Sequence, residues 1–80
     1  MMTAEEIKVL VARSAKSPVH IHTTDGAMYL VNHPELVFVS RTLVVIGTGI
    51  DQPVTGIPER VAFVPIEQIA RIETFPKAVA

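Results

Sequence analysis

The chain contains no cysteine, so a disulfide, a thiolate metal ligand and a thiol nucleophile are all excluded. Its stability must come from core packing or from association with another chain. Tryptophan is also absent, and one tyrosine and three phenylalanines make up the aromatic complement, too few to interleave with basic residues as a base-stacking platform. Neither sign of charge dominates: seven Lys and Arg against eight Asp and Glu give a net charge of -1. Phosphate neutralisation calls for a basic excess or stripe, so nucleic acid is the less favoured partner. No apolar run approaches the ~20 residues that span a bilayer, and Glu5 and Glu6 stand where an export signal would carry positive charge. The expectation is a soluble, cytoplasmic protein with no membrane partner.

Eighty residues suffice for one domain, 1–80, with no room for a second. The hydrophobic content is 49%, more than so small a domain can hide, because its surface per residue is large. Part of that apolar surface is expected to face another copy of the chain.

Thr3-Ala4-Glu5-Glu6 has the form of a capping box, with Met2 and Ile7 at the flanking hydrophobic-staple positions. Ile7, Leu10, Val11 and Ser14 recur at helical spacing, which predicts a helix from about Thr3 to Lys16, stopped by Ser17-Pro18. After Pro18 the pattern alternates. Val19 to Thr24 and Ala27 to His33 flank Asp25-Gly26, a dipeptide suited to a tight two-residue hairpin turn. Leu36 to Ser40 and Leu43 to Thr48 form a second expected hairpin around Arg41-Thr42, and their runs LVFV and LVVI are apolar on both faces. Gly47 to Glu59 has three glycines and two prolines and reads as a long surface loop. Arg60 to Val64 is a further strand, Pro65 to Gln68 a single tight helical turn, and Ile69 to Phe75 the last strand.

The expected fold is thus mainly β within the α+β class: an N-terminal helix over about 3–16, then about five short antiparallel strands over about 19–75, and a frayed tail at 76–80. Such an order suits a small SH3-like or Sm-like barrel or a strongly bent sheet, with an open sheet crossed by the helix as the alternative. The hairpin with its Asp25-Gly26 turn, the His33-Pro34-Glu35 motif and the closing Ile66, Ile69, Ile72 and Glu73 pattern, with Ile21 ahead of the turn, resemble a family of short, uncharacterised bacterial proteins. The resemblance implies this architecture and no reaction. An Sm-type RNA pocket would use an Asp and an Asn in one loop and an Arg-Gly pair in another. No Arg-Gly occurs here, and the only asparagine, Asn32, falls within an expected strand.

All three histidines lie within His20 to His33. Pairing the first hairpin through a two-residue turn sets Thr24 opposite Ala27, His22 opposite Tyr29 and His20 opposite Val31. His20, His22, Tyr29, Val31 and His33 would then share the wetter face, with Val19, Ile21, Met28 and Leu30 on the core face. His20, His22 and His33 are the weak candidates for a metal site, outweighed by the reading that they are outward polar residues; no metal and no cofactor is expected. Asp25, Gly26, His33, Pro34 and Glu35 form the turn and recognition corner, where Pro34 directs the chain and Glu35 could accept backbone N–H bonds. Ser40 and Thr42 lack a Gly-x-Ser-x-Gly context, and Gly47-Thr48-Gly49 is not followed by a helix that could aim N–H groups at a phosphate. No catalytic residue is assigned and the chain is expected not to be an enzyme.

The favoured function is a small, self-associating β-barrel module that mediates protein-protein interaction, as a homo-oligomer and with a protein partner. Its association face is expected on Leu36, Phe38, Val44 and Ile46. The alternative is an Sm-like or SH3-like nucleic-acid-binding oligomer that gathers Arg41, Arg60 and Arg71 onto one rim. A metal site at the histidine-bearing hairpin is the third reading.

Overall fold

A computed structural model describes residues 1–49 and 57–75. Most of the long loop's middle, including Asp51, Pro53 and Gly56, and the tail at 76–80 lie outside the described residues.

Helix α1 spans Ala4–Ala12 and runs on as a 3₁₀ turn over Arg13–Ala15. Its start is set locally. Thr3 N donates to Glu6 Oε1 at 2.9 Å and Glu6 N donates to Thr3 Oγ1 at 3.1 Å, the reciprocal capping box. The tightening after Ala12 places Ser14 in the interior, where its hydroxyl donates to the Val11 carbonyl at 2.6 Å.

Among the described residues six strands follow: β1 (Val19–Thr23), β2 (Met28–Val31), β3 (Val37–Val39), β4 (Leu43–Thr48), β5 (Arg60–Pro65) and β6 (Ile69–Thr74). One-turn 3₁₀ segments at Pro34–Leu36 and Ile66–Gln68 precede β3 and β6. The strands form two three-stranded antiparallel sheets, ordered β2-β1-β6 and β3-β4-β5. These six strands lie where the six separate strand segments were read, one more than the overall count of about five, and the His33-Pro34-Glu35 corner sends β2 and β3 into different sheets.

The core lies between the sheets and under α1. Ile7 and Val11 come from the helix, Val19, Ile21, Val31 and Ile69 from the first sheet, Val44, Ile46 and Val64 from the second, and Ile66 from the turn that joins them. Backbone bonds tie the layers together. Ile66 N donates to Thr42 O at 3.0 Å and Thr24 N to Gln68 O at 2.8 Å, while Phe75 N, donating to Pro18 O at 3.3 Å, extends the pairing of β1 with β6. The Ile66–Gln68 turn therefore anchors the tips of both hairpins.

The register of the first hairpin corrects the expectation. His22 pairs with Met28, Ile21 with Tyr29, His20 with Leu30 and Val19 with Val31, one residue away from the two-residue turn. The loop is three residues long, 24–26, closed by Thr23 N donating to Ala27 O at 2.9 Å and Gly26 N donating to Thr23 O at 3.1 Å. Gly26 takes φ +90°, the left-handed conformation that such loops place at their last position. A one-residue slip turns every side chain of a strand to the other face. Val31 is accordingly buried and Tyr29 packs on the core, whereas Met28 and Leu30, expected inside, are half exposed.

Candidate functional site

The outer face of the first sheet carries two cross-strand rows, Leu30-His20-Glu73 and Met28-His22-Arg71. Directly opposed residues share a face, so β1 brings His20 and His22 together and β6 sets a carboxylate and a guanidinium beside them. The His20 ring packs edge-on against Phe75 at 4.5 Å between centroids and against His22 at 6.3 Å. His22 Nε2 lies 2.5 Å from Glu73 Oε1, and the same oxygen is 3.5 Å from Arg71 Nη2. The close approach to Glu73 does not count as a hydrogen bond, and among the described residues the buried Nε2 has no hydrogen-bond partner. His33 is not on this face: it stands at the corner beyond β2, with Nδ1 3.5 Å from Glu35 Oε1. Tyr29 and Val31, expected beside the histidines, face inward. Among the described residues no group of three His, Cys, Asp or Glu side chains gathers in a form that could hold a metal ion.

The recognition corner is built from two separate pieces. At the hairpin tip, Thr23 Oγ1 bonds the Asp25 carboxylate and accepts from Ala27 N at 3.0 Å. The Thr23 hydroxyl, then the Ala27 N–H, hold the Asp25 carboxyl below its ordinary value. At the other piece, His33 is extended, Pro34 opens the 3₁₀ turn, and Leu36 N donates to His33 O at 3.0 Å. Glu35 lies against the His33 ring rather than on a backbone N–H.

The three arginines of the expected rim each stand beside an acid. Arg41 bonds Glu5 of α1, and this hydrogen bond is the main cause of a lowered Glu5 carboxyl pKa. Arg60 is 3.9 Å from Glu59 and Arg71 3.5 Å from Glu73.

The expected association face requires a correction. Val44 and Ile46 are 0% and 1% exposed and belong to the core, because β4 turns them toward α1 and the first sheet. Leu36 sits half-buried in the 3₁₀ turn. Phe38 alone of the four is on the outer face, at 68% exposure. The register there joins Phe38, Val45 and Phe63 in one row across β3, β4 and β5, with Gly47-Val61 and Leu43-Pro65 as the rows on either side. Phe63 is 67% exposed and Val61 about half. These three rows contain no charged or polar side chain. Val61 and Phe63 were missed by the sequence reasoning, although their alternation with Ala62 and Val64 was the signal that could have found them.

A cleft of about 600 Å³ separates β2 from the second sheet. Its walls are Met28 to Val31 on one side and the start of β3, the end of β4 and Arg60 on the other, with His33 at one end. No protein-family model, curated protein or solved structure matches the chain.

Proposed function

We propose that the protein is a small, non-enzymatic β module that associates with a second copy of itself through the outer face of its second sheet. The two sheets, joined at the Ile66–Gln68 turn, are taken as a bent SH3-like or Sm-like half-open barrel capped by α1. The reading rests on one observation: the row Phe38-Val45-Phe63, whose two rings are each about two-thirds exposed, lies at the centre of three rows without a charged side chain.

The identity of the occupant follows from that lack of charge. An isologous contact sets a patch against its own image, which requires that the patch carry no like charges to repel. Each phenylalanine offers roughly 150–250 Å² in all, so the two exposed rings supply on the order of 250 Å² of apolar area per protomer. A standard interface takes about 800 Å² per partner. The rings would therefore be its centre, surrounded by Val61, Leu43 and Pro65. Among the described residues β3 and β5 are both sheet edges, and backbone groups there that face away from β4 would provide the polar complement.

Light scattering over micromolar concentrations is the test. A dimer or larger species is expected, with conversion to monomer and an unchanged circular dichroism spectrum in the double variant Phe38→Ser, Phe63→Ser. A wild-type chain that stays monomeric throughout this range would overturn the proposal.

A further inference from the structure

The cleft beside β2 has the form of a strand site. Four consecutive residues of a strand point alternately to its two faces, so a cavity on one face touches every second one. This cavity touches all of Met28 to Val31. A groove along the strand's open edge does that, and among the described residues β2 is an edge strand paired only with β1.

The backbone groups facing the groove follow from the register. Thr23 N donates to Ala27 O, and bonded pairs alternate along an antiparallel ladder. Ile21-Tyr29 and Val19-Val31 are then the bonded pairs, and His22-Met28 and His20-Leu30 the others. The N–H and C=O groups of Met28 and Leu30 consequently point away from β1, into the groove. A strand laid along Met28 to Val31 would run about 13 Å at the ordinary rise per residue, and a volume of about 600 Å³ lies within the usual range of ligand sites.

The far wall supplies a charge. Gly49 takes φ +74°, and a side chain there would meet the Glu59 Cβ at 3.3 Å and the Arg60 guanidinium at 3.5 Å. The Arg60 guanidinium therefore lies within ordinary contact distance of the end of β4. Its neighbour Glu59 is 3.9 Å away, with both side chains mostly exposed, a contact worth little. The guanidinium remains available to a carboxylate, which its planar fork suits.

We propose that the groove between β2 and Arg60 binds an extended peptide strand, which pairs with the outward backbone groups of Met28 and Leu30 and sets a carboxylate against Arg60. The carboxylate is the shared chemistry of a chain terminus and an acidic side chain. The site shares only Gly47 with the outer rows of the second sheet, and the two proposals rest on different observations, so either can fail without the other.

The test uses the isotopically labelled full chain and four probes, read by backbone amide chemical shifts. The first is an N-acetylated hexapeptide of alternating valine and threonine with a free C-terminal carboxylate. It is expected to produce saturable shifts at Met28 to Val31 and Gly49, and the Arg60→Ala variant or a C-terminally amidated probe to weaken binding at least about tenfold. An amidated probe with a terminal-turn glutamate that recovers the affinity assigns the site to acidic side chains, and one that does not assigns it to chain termini; both support the proposal. A probe with alternate N-methylated amides leaves the protein unaltered and should not bind. Absence of shifts at millimolar free-acid peptide would overturn the inference. So would equal binding of the N-methylated probe, or shifts at β2 that appear on raising the protein concentration alone, which would mean that a second copy fills the groove.

Discussion

Thr23 Oγ1 serves both sides of the first loop, accepting from Ala27 N at 3.0 Å and bonding the Asp25 carboxylate. Replacing it with alanine removes the first cause of the lowered Asp25 pKa, and carboxyl titration by NMR should show Asp25 returning toward its ordinary value. Glu6 is held low in the same way by the Thr3 backbone N–H and hydroxyl, and Glu5 by Arg41. The sign is the same for all three. A carboxyl with a lower pKa folded than unfolded stabilises the fold fully above its ordinary value, 4.5 for Glu and 3.8 for Asp, and loses that contribution as pH falls through the folded value. Urea midpoints should therefore hold steady from pH 7 to 5 as far as these groups are concerned and decline below about pH 4.5. The decline should be shallower in Thr23→Ala. In the core, Ile21 is fully buried, and Ile21→Ala should cost about 2–5 kcal/mol in urea denaturation because the site sits between packed layers that cannot collapse into the void.

The helix and the hairpins differ in how much of them is local. The capping box that starts α1 depends on four adjacent residues, so Thr3 and Glu6 are legible as a helix start in the sequence. Thr3→Ala should lower stability by about 1 kcal/mol, measured by the same denaturation experiment. The first hairpin was legible as a hairpin but not in its register. Asp25-Gly26 fits a two-residue turn as well as the end of a three-residue loop, and the choice depends on which side chains the core accepts. A two-residue turn would have buried Met28 and Leu30 and turned Val31 out. The adopted loop instead buries Val31 with Val19, Ile21 and Ile69. Gly26 has open space around it but φ +90°, so Gly26→Ala should destabilise by about 1–2 kcal/mol through backbone strain alone. A larger loss, with changed amide shifts along β2, would show the register moving as well.

At the scale of the whole molecule, an apolar face left uncovered on an 80-residue chain couples stability to concentration. If a second copy covers Phe38 and Phe63, the folded state is stabilised by mass action and the thermal midpoint rises with protein concentration. The double variant Phe38→Ser, Phe63→Ser should unfold at a midpoint independent of concentration. No described helix is long and apolar enough to cross a membrane, and the exposed large apolar residues of the sheets include Met28, Leu30, Phe38, Val61 and Phe63. Composition by itself determined an apolar excess, because a small domain cannot enclose 49% hydrophobic residues. Local sequence also determined the helix start, the strand-rich region after Pro18 and the break at His33-Pro34-Glu35, since capping, alternation and proline act over a few residues. Which face of each strand is inside was decided only in three dimensions. LVFV and LVVI are apolar on both sides, and a period of two does not say which side meets the core. The position of α1 and the first sheet draws Val44 and Ile46 in and leaves Phe38, Val45 and Phe63 out. The residues expected to form an association face therefore had to be corrected, because burial is set by what packs against a strand and not by the strand's own pattern.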